Sequence, residues 1–588
     1  MQKRWILCSA VENNLVEKLC GELNIPYALA NLLFKRGVQS YEDAHSFFKP
    51  SFSNIHDPYL MRDMKESVER IERAITDNEK ILIFGDYDVD GTSAVALVYS
   101  FLSNITSNIE YYVPDRYEEG YGISMLSIEY AKENGVSLII SLDCGIKCHE
   151  EIDLAAVYGI DVIVCDHHFP GQTLPKAYSI LNPKRADCNY PYKDLSGCGV
   201  GFKLIQAIAV KRNIPLENLG KYFDLLVLSI ASDIVPITGE NRVFAYFGLK
   251  LINLRPRQSI ESLLVHSKII RKEGEIPPNK TVFIREITIT DLVFYVGPRI
   301  NAAGRMDTGR SSVELLIAEK TDEIAELGDR VDMHNSDRRE LDTKTTTEAI
   351  DMVSAESCWE TKKSLVVYHH SWSKGIVGIV ASRLVEHFYK PSIVLTLFDN
   401  IVTGSARSVK NFDIYNALSQ CKDLLTSFGG HTFAAGLSLK PENLNTFMER
   451  FEQIVASSIP ETAIIPSIDI DAEINLNDIN MLFFDIMKKF APFGPGNMLP
   501  VFMTKNVVDA GDSRIVGQNH LKLSIFQMNN RSYPVDAIAF GFGEYYERIS
   551  KKEPFHICYH IEVNEWQGRR SLQLNIKDIK FELEDSEQ

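Results

Sequence analysis

At 588 residues the chain is too long for one core, and roughly 100–200 residues per domain gives about three to five units. Its net charge of −17 excludes a general nucleic-acid coat, which needs an excess of Lys and Arg. That charge does not exclude an enzyme whose carboxylates hold cations that cancel it. The 45% hydrophobic and 24% charged residues are ordinary for a soluble protein, and no apolar run approaches the roughly 18–20 residues of a membrane span.

Lys3 and Arg4 precede only the short stretch Trp5–Ala10, which soon meets Glu12, so no signal peptide, no membrane contact and a cytoplasmic setting are expected. The ten cysteines form no C-x-x-C pair; Cys144 and Cys148 lack a matching second pair, and all are read as reduced and structural.

Residues 1–75 read as a mostly helical, polar segment. From 76 to 310 short apolar runs alternate with amphipathic stretches. Ile81–Phe84, Ile109–Val113, Val136–Leu142 and Ile160–Cys165 read as buried parallel strands, and Thr92–Leu102, Ser124–Glu133 and His149–Tyr158 as crossover helices. The fold class is therefore α/β, with a doubly wound, mostly parallel sheet whose alternation reaches about Val235. Residues 311–356 hold few apolar positions and no Gly after Gly328, and predict a helix connecting two lobes or an ordinary surface helix of one. Between 357 and 460 a second α/β pattern follows: strand Ser364–Tyr368, helix Ile376–Phe388, strand Ser392–Leu397. The last segment, 461–588, alternates strands and turns, including His520–Ile525, Val535–Phe540 and Leu572–Ile576, and predicts a small antiparallel β-barrel.

The strongest local signal is Phe84-Gly-Asp86-Tyr-Asp88-Val-Asp90-Gly91-Thr92, three alternating acids where a buried strand gives way to a helix. Ligands of open α/β sheets bind beyond the carboxyl ends of the strands. Acids so close raise one another's pKa unless a cation neutralises them. A calcium loop would need Glu at the twelfth position from Asp86, where Leu97 stands. Val136–Leu142 ends at Asp143, the next run at Asp166-His167-His168, and Leu225–Ala231 runs into Ser232-Asp233. Four strand-like runs thus deliver Asp or His to one sheet edge, which capping does not explain. Carboxylates and imidazole without thiolates suit Mn²⁺ or Mg²⁺. Two such ions about 3.5–4 Å apart can clamp a phosphodiester, with Asp143 the candidate bridge.

These motifs, in this order, resemble those of the DHH phosphoesterases. The resemblance implies that Asp88, Asp90, Asp143, His167 and Asp233 ligate two divalent ions. It places Asp86 and Asp166 among or beside the ligands, and gives His168 the task of orienting a phosphate or moving a proton. Gly297-Pro-Arg299-Ile-Asn301-Ala-Ala-Gly304-Arg305 and the run from Gly375 to Leu384 are similar to signatures of the single-stranded-DNA exonuclease branch of that family. Gly404-Ser405-Ala-Arg407-Ser408 and Gly429-Gly430-His431-Thr-Phe-Ala434-Ala435-Gly436 resemble its DHH-associated substrate domain. Phosphate or DNA contacts are accordingly expected at Arg299, Asn301, Arg305, Ser405, Arg407, Ser408, Gly429, Gly430 and His431. Guanidinium grips phosphate with two prongs, and glycines bare their backbone N–H groups. Ala491-Pro-Phe-Gly-Pro-Gly-Asn497, His520-Leu-Lys522-Leu and Gln573-Leu resemble the OB-fold of that branch, where Lys522, Trp566, Arg569 and Arg570 are candidate strand contacts. One departure stands out: Trp372 is followed by Ser373, where the branch usually has His. No further module is expected after the barrel.

The resemblance implies a 5′-to-3′ exonuclease that hydrolyses single-stranded DNA to 5′-mononucleotides in repair and recombination. It would be a monomer, with a helicase or single-strand-binding protein as possible partners. A DHH phosphodiesterase of short oligonucleotides or cyclic dinucleotides is the enzymatic alternative, and a non-catalytic replication scaffold the other.

Overall fold

The structure, a computed structural model, describes residues 3–8, 13–306, 309–356, 358–528, 530–566 and 569–582. The chain divides into two compact units, neither continuous in sequence. One holds the described residues of Ala10–Asn335 and Asn480–Leu499, the other those of Met1–Ser9, Ser336–Ile479 and Pro500–Gln588.

The first unit is built on a five-stranded parallel sheet with spatial order Ile109–Tyr112, Lys80–Gly85, Val136–Leu142, Asp161–Cys165, Ser179–Leu181. In chain order this is 2-1-3-4-5, a doubly wound arrangement whose connections reverse direction between strands one and three. Side chains alternate between its faces. Ile81, Ile83, Leu138 and Ile140 pack with helices Val89–Leu102, Gly197–Lys211 and Phe223–Ser232. Leu82, Phe84, Ile139 and Val162 pack with Met125–Glu133 and His149–Val157 on the other face. Both faces being covered, the strands read as unbroken apolar runs.

Leu225–Ala231 was expected to be a strand and is not. It lies within helix Phe223–Ser232, buried from Phe223 to Ala231. A segment walled in on every side shows neither a period of two nor of 3.6, so its composition cannot separate strand from helix.

The segment Asn480–Leu499 completes this unit from far along the chain. Arg242 donates through Nη1 to the Phe490 carbonyl and through Nη2 to that of Ala491, both at 3.0 Å, while its guanidinium lies 3.7 Å from the Phe47 ring centroid. Arg36 donates to Asn497 Oδ1 at 2.5 Å and to the Met498 carbonyl at 2.6 Å.

In place of one connecting helix over 311–356 there are two: Arg310–Ile317, whose Val313, Leu315 and Leu316 join the first unit's core, and the 35-residue Thr321–Ala355. The second is about 52 Å long at ~1.5 Å per residue and carries the chain from one unit into the other.

The second unit contains a five-stranded sheet ordered Leu425–His431, Ala434–Leu439, Ile401–Arg407, Ser392–Phe398, Leu365–Tyr368, with only the last pair parallel. Helix Val377–Phe388 packs on one face and Leu444–Ser458 on the other. Beyond it Phe502–Asp509, His520–Gln527, Asn530–Phe540, Arg569–Lys580 and Phe555–Trp566 close into a barrel, because Phe502–Asp509 pairs at both ends of the series. The barrel is not wholly antiparallel as expected. Asn530–Phe540 and Arg569–Lys580 run parallel, since a hairpin strand is inserted between them in sequence but not in space. That is OB-fold topology. The nominally helical N-terminal segment also contributes a strand here: Arg4–Leu7 pairs in parallel with Ser467–Ile470, and Trp5 Nε1 donates to Asp578 Oδ2 at 2.8 Å.

Candidate metal centre and phosphate site

The reversal between strands one and three places Lys80–Gly85 and Val136–Leu142 side by side with their carboxyl ends leading into Asp86 and Asp143. Asp88 caps helix Val89–Leu102 by accepting from Gly91 N at 3.0 Å. Gly91 is required by space: a Cβ there would lie 2.4 Å from the Asp86 carbonyl oxygen. Asp90, two residues on, accepts from Gly197 N and Cys198 N at 2.7 Å each and from Ser229 Oγ at 2.7 Å. The first two donors open helix Gly197–Lys211, whose N-terminus favours a negative charge. Gly197 also lets Asp143 in, since a Cβ on it would sit 2.5 Å from Asp143 Cβ.

Asp143 adopts a left-handed backbone (φ 62°) and donates its N–H to the Cys165 carbonyl at 2.9 Å. Asp166 accepts from the backbone N–H of Ile146 (3.0 Å), His167 (2.7 Å) and His168 (3.0 Å), and pairs with His168 Nδ1 at 2.8 Å. Burial alone would raise this acid, but His168 and the backbone donors hold it down at about 2. An ionised Asp166 can only accept, so Nδ1 of His168 carries the proton. Burial draws the His168 pKa down, yet the Asp166 bond outweighs it and the net shift is upward. His167 moves the other way, to about 4, chiefly through burial, and is therefore neutral near pH 7.

Nε2 of His167 lies 3.1 Å from Asp143 Oδ1, 3.6 Å from Asp233 Oδ2 and 3.8 Å from Asp90 Oδ2. Asp233 caps the C-terminal end of helix Phe223–Ser232, so the fourth contribution comes from a helix and not a strand. Two donor groups within 4.8 Å emerge among the described residues, Asp143–His167–His168 and Asp90–His167–Asp233, with His167 common to both. Asp88 and Asp86 stand outside these groups.

The buried atoms Asp86 Oδ1, Asp143 Oδ1 and both ring nitrogens of His167 have no hydrogen-bond partner. Buried polar atoms rarely go unsatisfied. Two donors on one octahedral cation, each about 2.1 Å from it, lie about 3 Å apart, close to the His167–Asp143 spacing. Burial first, then neighbouring carboxylates, raises Asp143 and Asp88, and lifts Asp233 to about 9. A divalent cation answers both problems: it satisfies the orphaned atoms and neutralises acids that otherwise repel. The donor set fits Mn²⁺ or Mg²⁺.

Helix Gly297–Met306 carries Asn301 and Arg305 and packs Gly304 on the Tyr87 backbone, while Tyr117 donates to the Arg305 carbonyl at 2.6 Å. Arg299 points elsewhere: Nε donates to Asp332 Oδ1 (2.8 Å), Nη1 to the Tyr295 carbonyl (2.8 Å) and Nη2 to that of His266 (3.2 Å). Every nitrogen of the expected phosphate ligand is already occupied. Two neighbours went unnoticed in the sequence. Tyr121 donates to the Asp143 carbonyl at 2.8 Å and lies 3.4 Å from His168, and Arg116 lies over the Tyr87 ring at 4.9 Å. An aromatic between two glycines, Gly120-Tyr121-Gly122, was the available signal.

In the second unit Ser405, Gly436 and Gly429 form one cross-strand row, and Arg407, Ala434 and His431 the next row on the same face. Arg407 Nη1 donates to Ser405 Oγ at 2.6 Å, and Gly378 in the first turn of helix Val377–Phe388 approaches both. The backbone places Gly430 on the opposite face. Ser408 turns away to donate to the Phe412 carbonyl at 2.7 Å. Ser373 accepts from Gly375 N at 3.3 Å. In the barrel Lys522 lies opposite Arg514, while the side chains of Trp566 and Arg569 fall outside the described residues.

Three family models match the chain: the DHH family N-terminal domain over residues 80–230, the DHHA1 domain over 361–457 and the RecJ OB domain over 470–578. Over 571 residues the chain is 36% identical to the single-stranded-DNA-specific exonuclease RecJ of Bacillus subtilis (strain 168), covering 96% of this chain and 70% of that protein. It is 31% identical to the protein of the same name from Escherichia coli (strain K12), over 94% of this chain and 96% of the relative. The chain belongs to the RecJ family. The crystal structure of RecJ from Thermus thermophilus in complex with Mn²⁺ has the same fold, with a TM-score of 0.82 at 22% identity over 98% of this chain and 79% of that one. The RecJ architecture thus consists of the DHH sheet that carries the acids and histidines, the DHHA1 sheet with Ser405 and Arg407, and the OB barrel.

Proposed function

We propose that this RecJ-family chain is a metal-dependent exonuclease that removes 5′-mononucleotides stepwise from the 5′ end of single-stranded DNA. The observation that carries the reading is the knot of orphaned donors, Asp86, Asp143 and His167, at the reversal point of a parallel sheet. Asp88, Asp90, Asp143, His167 and Asp233 would hold two divalent ions, Mn²⁺ or Mg²⁺. When bound, these supply Lewis-acid polarisation of the phosphodiester and lower the pKa of a water.

The chain's own groups do the rest. Helix Gly197–Lys211 fixes the Asp90 carboxylate through two backbone donors. Asp166 locks the His168 ring and keeps its proton on Nδ1, which leaves Nε2 to orient a phosphate oxygen or pass a proton to the leaving oxygen. Neutral His167 is in the form a ligand must have. Asn301 and Arg305, on the helix whose Gly304 packs against Tyr87, would contact the strand, and Ser405, Arg407 and His431 with Gly429 would anchor a terminal 5′-phosphate. The OB barrel supplies a further surface for a single strand, through Lys522 and Arg570.

The reading includes a monomer working in the cytoplasm. No helix among the described residues is long and apolar enough to cross a membrane. An enzyme confined to single strands needs them exposed, so a helicase or single-strand-binding protein is the natural partner. Strands blocked at the 3′ end should be degraded with Mn²⁺ and strands blocked at the 5′ end spared; the opposite pattern overturns the polarity. Turnover of dinucleotides with long strands untouched would return the site to the short-oligonucleotide phosphodiesterases.

A further inference from the structure

Immediately after the site histidines stands Phe169, 65% exposed. Exposing a phenyl ring forgoes a large apolar contribution to folding, and here the ring is held out by rigid backbone. The His168 carbonyl accepts from Asn182 Nδ2 at 2.9 Å, and Asn182 Oδ1 accepts from Lys184 N at 2.8 Å. Asn182 is itself fully buried, so the segments on either side are clamped together. Lys184 Nζ lies over the Phe169 ring, 5.0 Å from its centroid. Phe169 directly follows His168, a member of the Asp143–His167–His168 donor group, which sets this pair beside the metal centre. Tyr121, 54% exposed, stands edge-on to His168 with ring centroids 5.9 Å apart. The centre is thus bordered by an aromatic with a fixed backbone and a cation on its face.

We propose that Phe169 is a nucleobase platform: a base of the strand lying in the metal centre stacks on the ring, with Lys184 beside the adjoining phosphate. This rests on the exonuclease reading and adds to it the means by which the site recognises a nucleotide. Every base has a π-face, so the platform senses that a base is present without discriminating which. An abasic unit offers nothing to stack and gains nothing from the ring.

The test uses full-length protein with Mn²⁺, an ordinary oligodeoxynucleotide and a matched strand of abasic units. Phe169→Ala should raise KM for the ordinary strand about tenfold, equivalent to about 1.4 kcal/mol, with the effect on KM rather than kcat. Its KM for the abasic strand should equal that of the unaltered protein. Phe169→Trp should restore the ordinary value, and Phe169→Leu, which keeps apolar volume without a π-face, should not. Equal KM values for Phe169→Ala and the unaltered protein on the ordinary strand, or full function in Phe169→Leu, would overturn the platform while leaving the exonuclease reading in place. If the unaltered protein degrades neither strand, it is the exonuclease reading that falls.

Discussion

Metal removal should make this protein's stability depend on pH, and Asp233 lets the size be worked out. Its carboxyl is pushed up to about 9, by burial first and then by Asp90 and Asp88, from an ordinary value of 3.8. Between those values the metal-free native state keeps a proton that the unfolded chain has released. Stability therefore falls as pH rises through this window, and the loss is complete only above the native value. One such group contributes a slope of about 1.4 kcal/mol per pH unit. Going from about pH 6 to about pH 8 then costs about 2.7 kcal/mol from Asp233 alone, or ~5 °C in the unfolding temperature of a unit this large. Asp233→Asn removes the group, so the chelated variant should be less sensitive to pH by that amount and more stable than the unaltered protein at pH 8. With saturating Mn²⁺ the cation takes the proton's place, and the unaltered protein should lose much less. Thermal unfolding in chelator at the two pH values, with and without Mn²⁺, measures all of this. A pH-independent midpoint for the chelated protein, or an Asp233→Asn slope equal to the original, would refute the account of repelling acids.

Gly197→Ala changes no candidate ligand, yet its methyl would arrive 2.5 Å from Asp143 Cβ. Displacing Asp143 by about 1 Å should lower single-turnover rates about 100-fold, while overpacking costs about 1–3 kcal/mol by denaturant unfolding. Arg407→Ala should weaken binding of 5′-phosphorylated strands about 10- to 100-fold, the worth of a hydrogen bond to a charged group, with 5′-hydroxyl strands much less affected; equal losses on both would remove the phosphate from this arginine.

Four of the five strands of the parallel sheet were legible because they appear as apolar blocks, whereas Ser179–Leu181 is three residues long and follows Asp161–Cys165 with no helix between them, too short to show a pattern. The acids were legible for a related reason: a charge at the end of such a block has left the core and must serve a turn or a ligand. Asp233 was read at the end of a strand and instead caps a helix, since Leu225–Ala231 is apolar on all sides. Arg299 looked available because an isolated arginine in a motif carries no trace of Asp332, its partner on another helix. The parallel pair in the barrel and the pairing of Arg4–Leu7 with Ser467–Ile470 depend on which distant strands meet, information that no local pattern holds. Tyr121 and Phe169 are single aromatics, and only coordinates separate an exposed ring near a site from one in the core.

The segment Asn480–Leu499 is made long after the rest of the unit it completes. Growth of the nascent chain from Asn335 to that segment takes on the order of ten seconds or more at ~5–20 residues per second. Throughout that interval Arg242 and Arg36 lack the carbonyl and amide groups they hold in the finished fold. On the ribosome, then, the half of the molecule that carries the acids stays unfinished until most of the polypeptide has been translated.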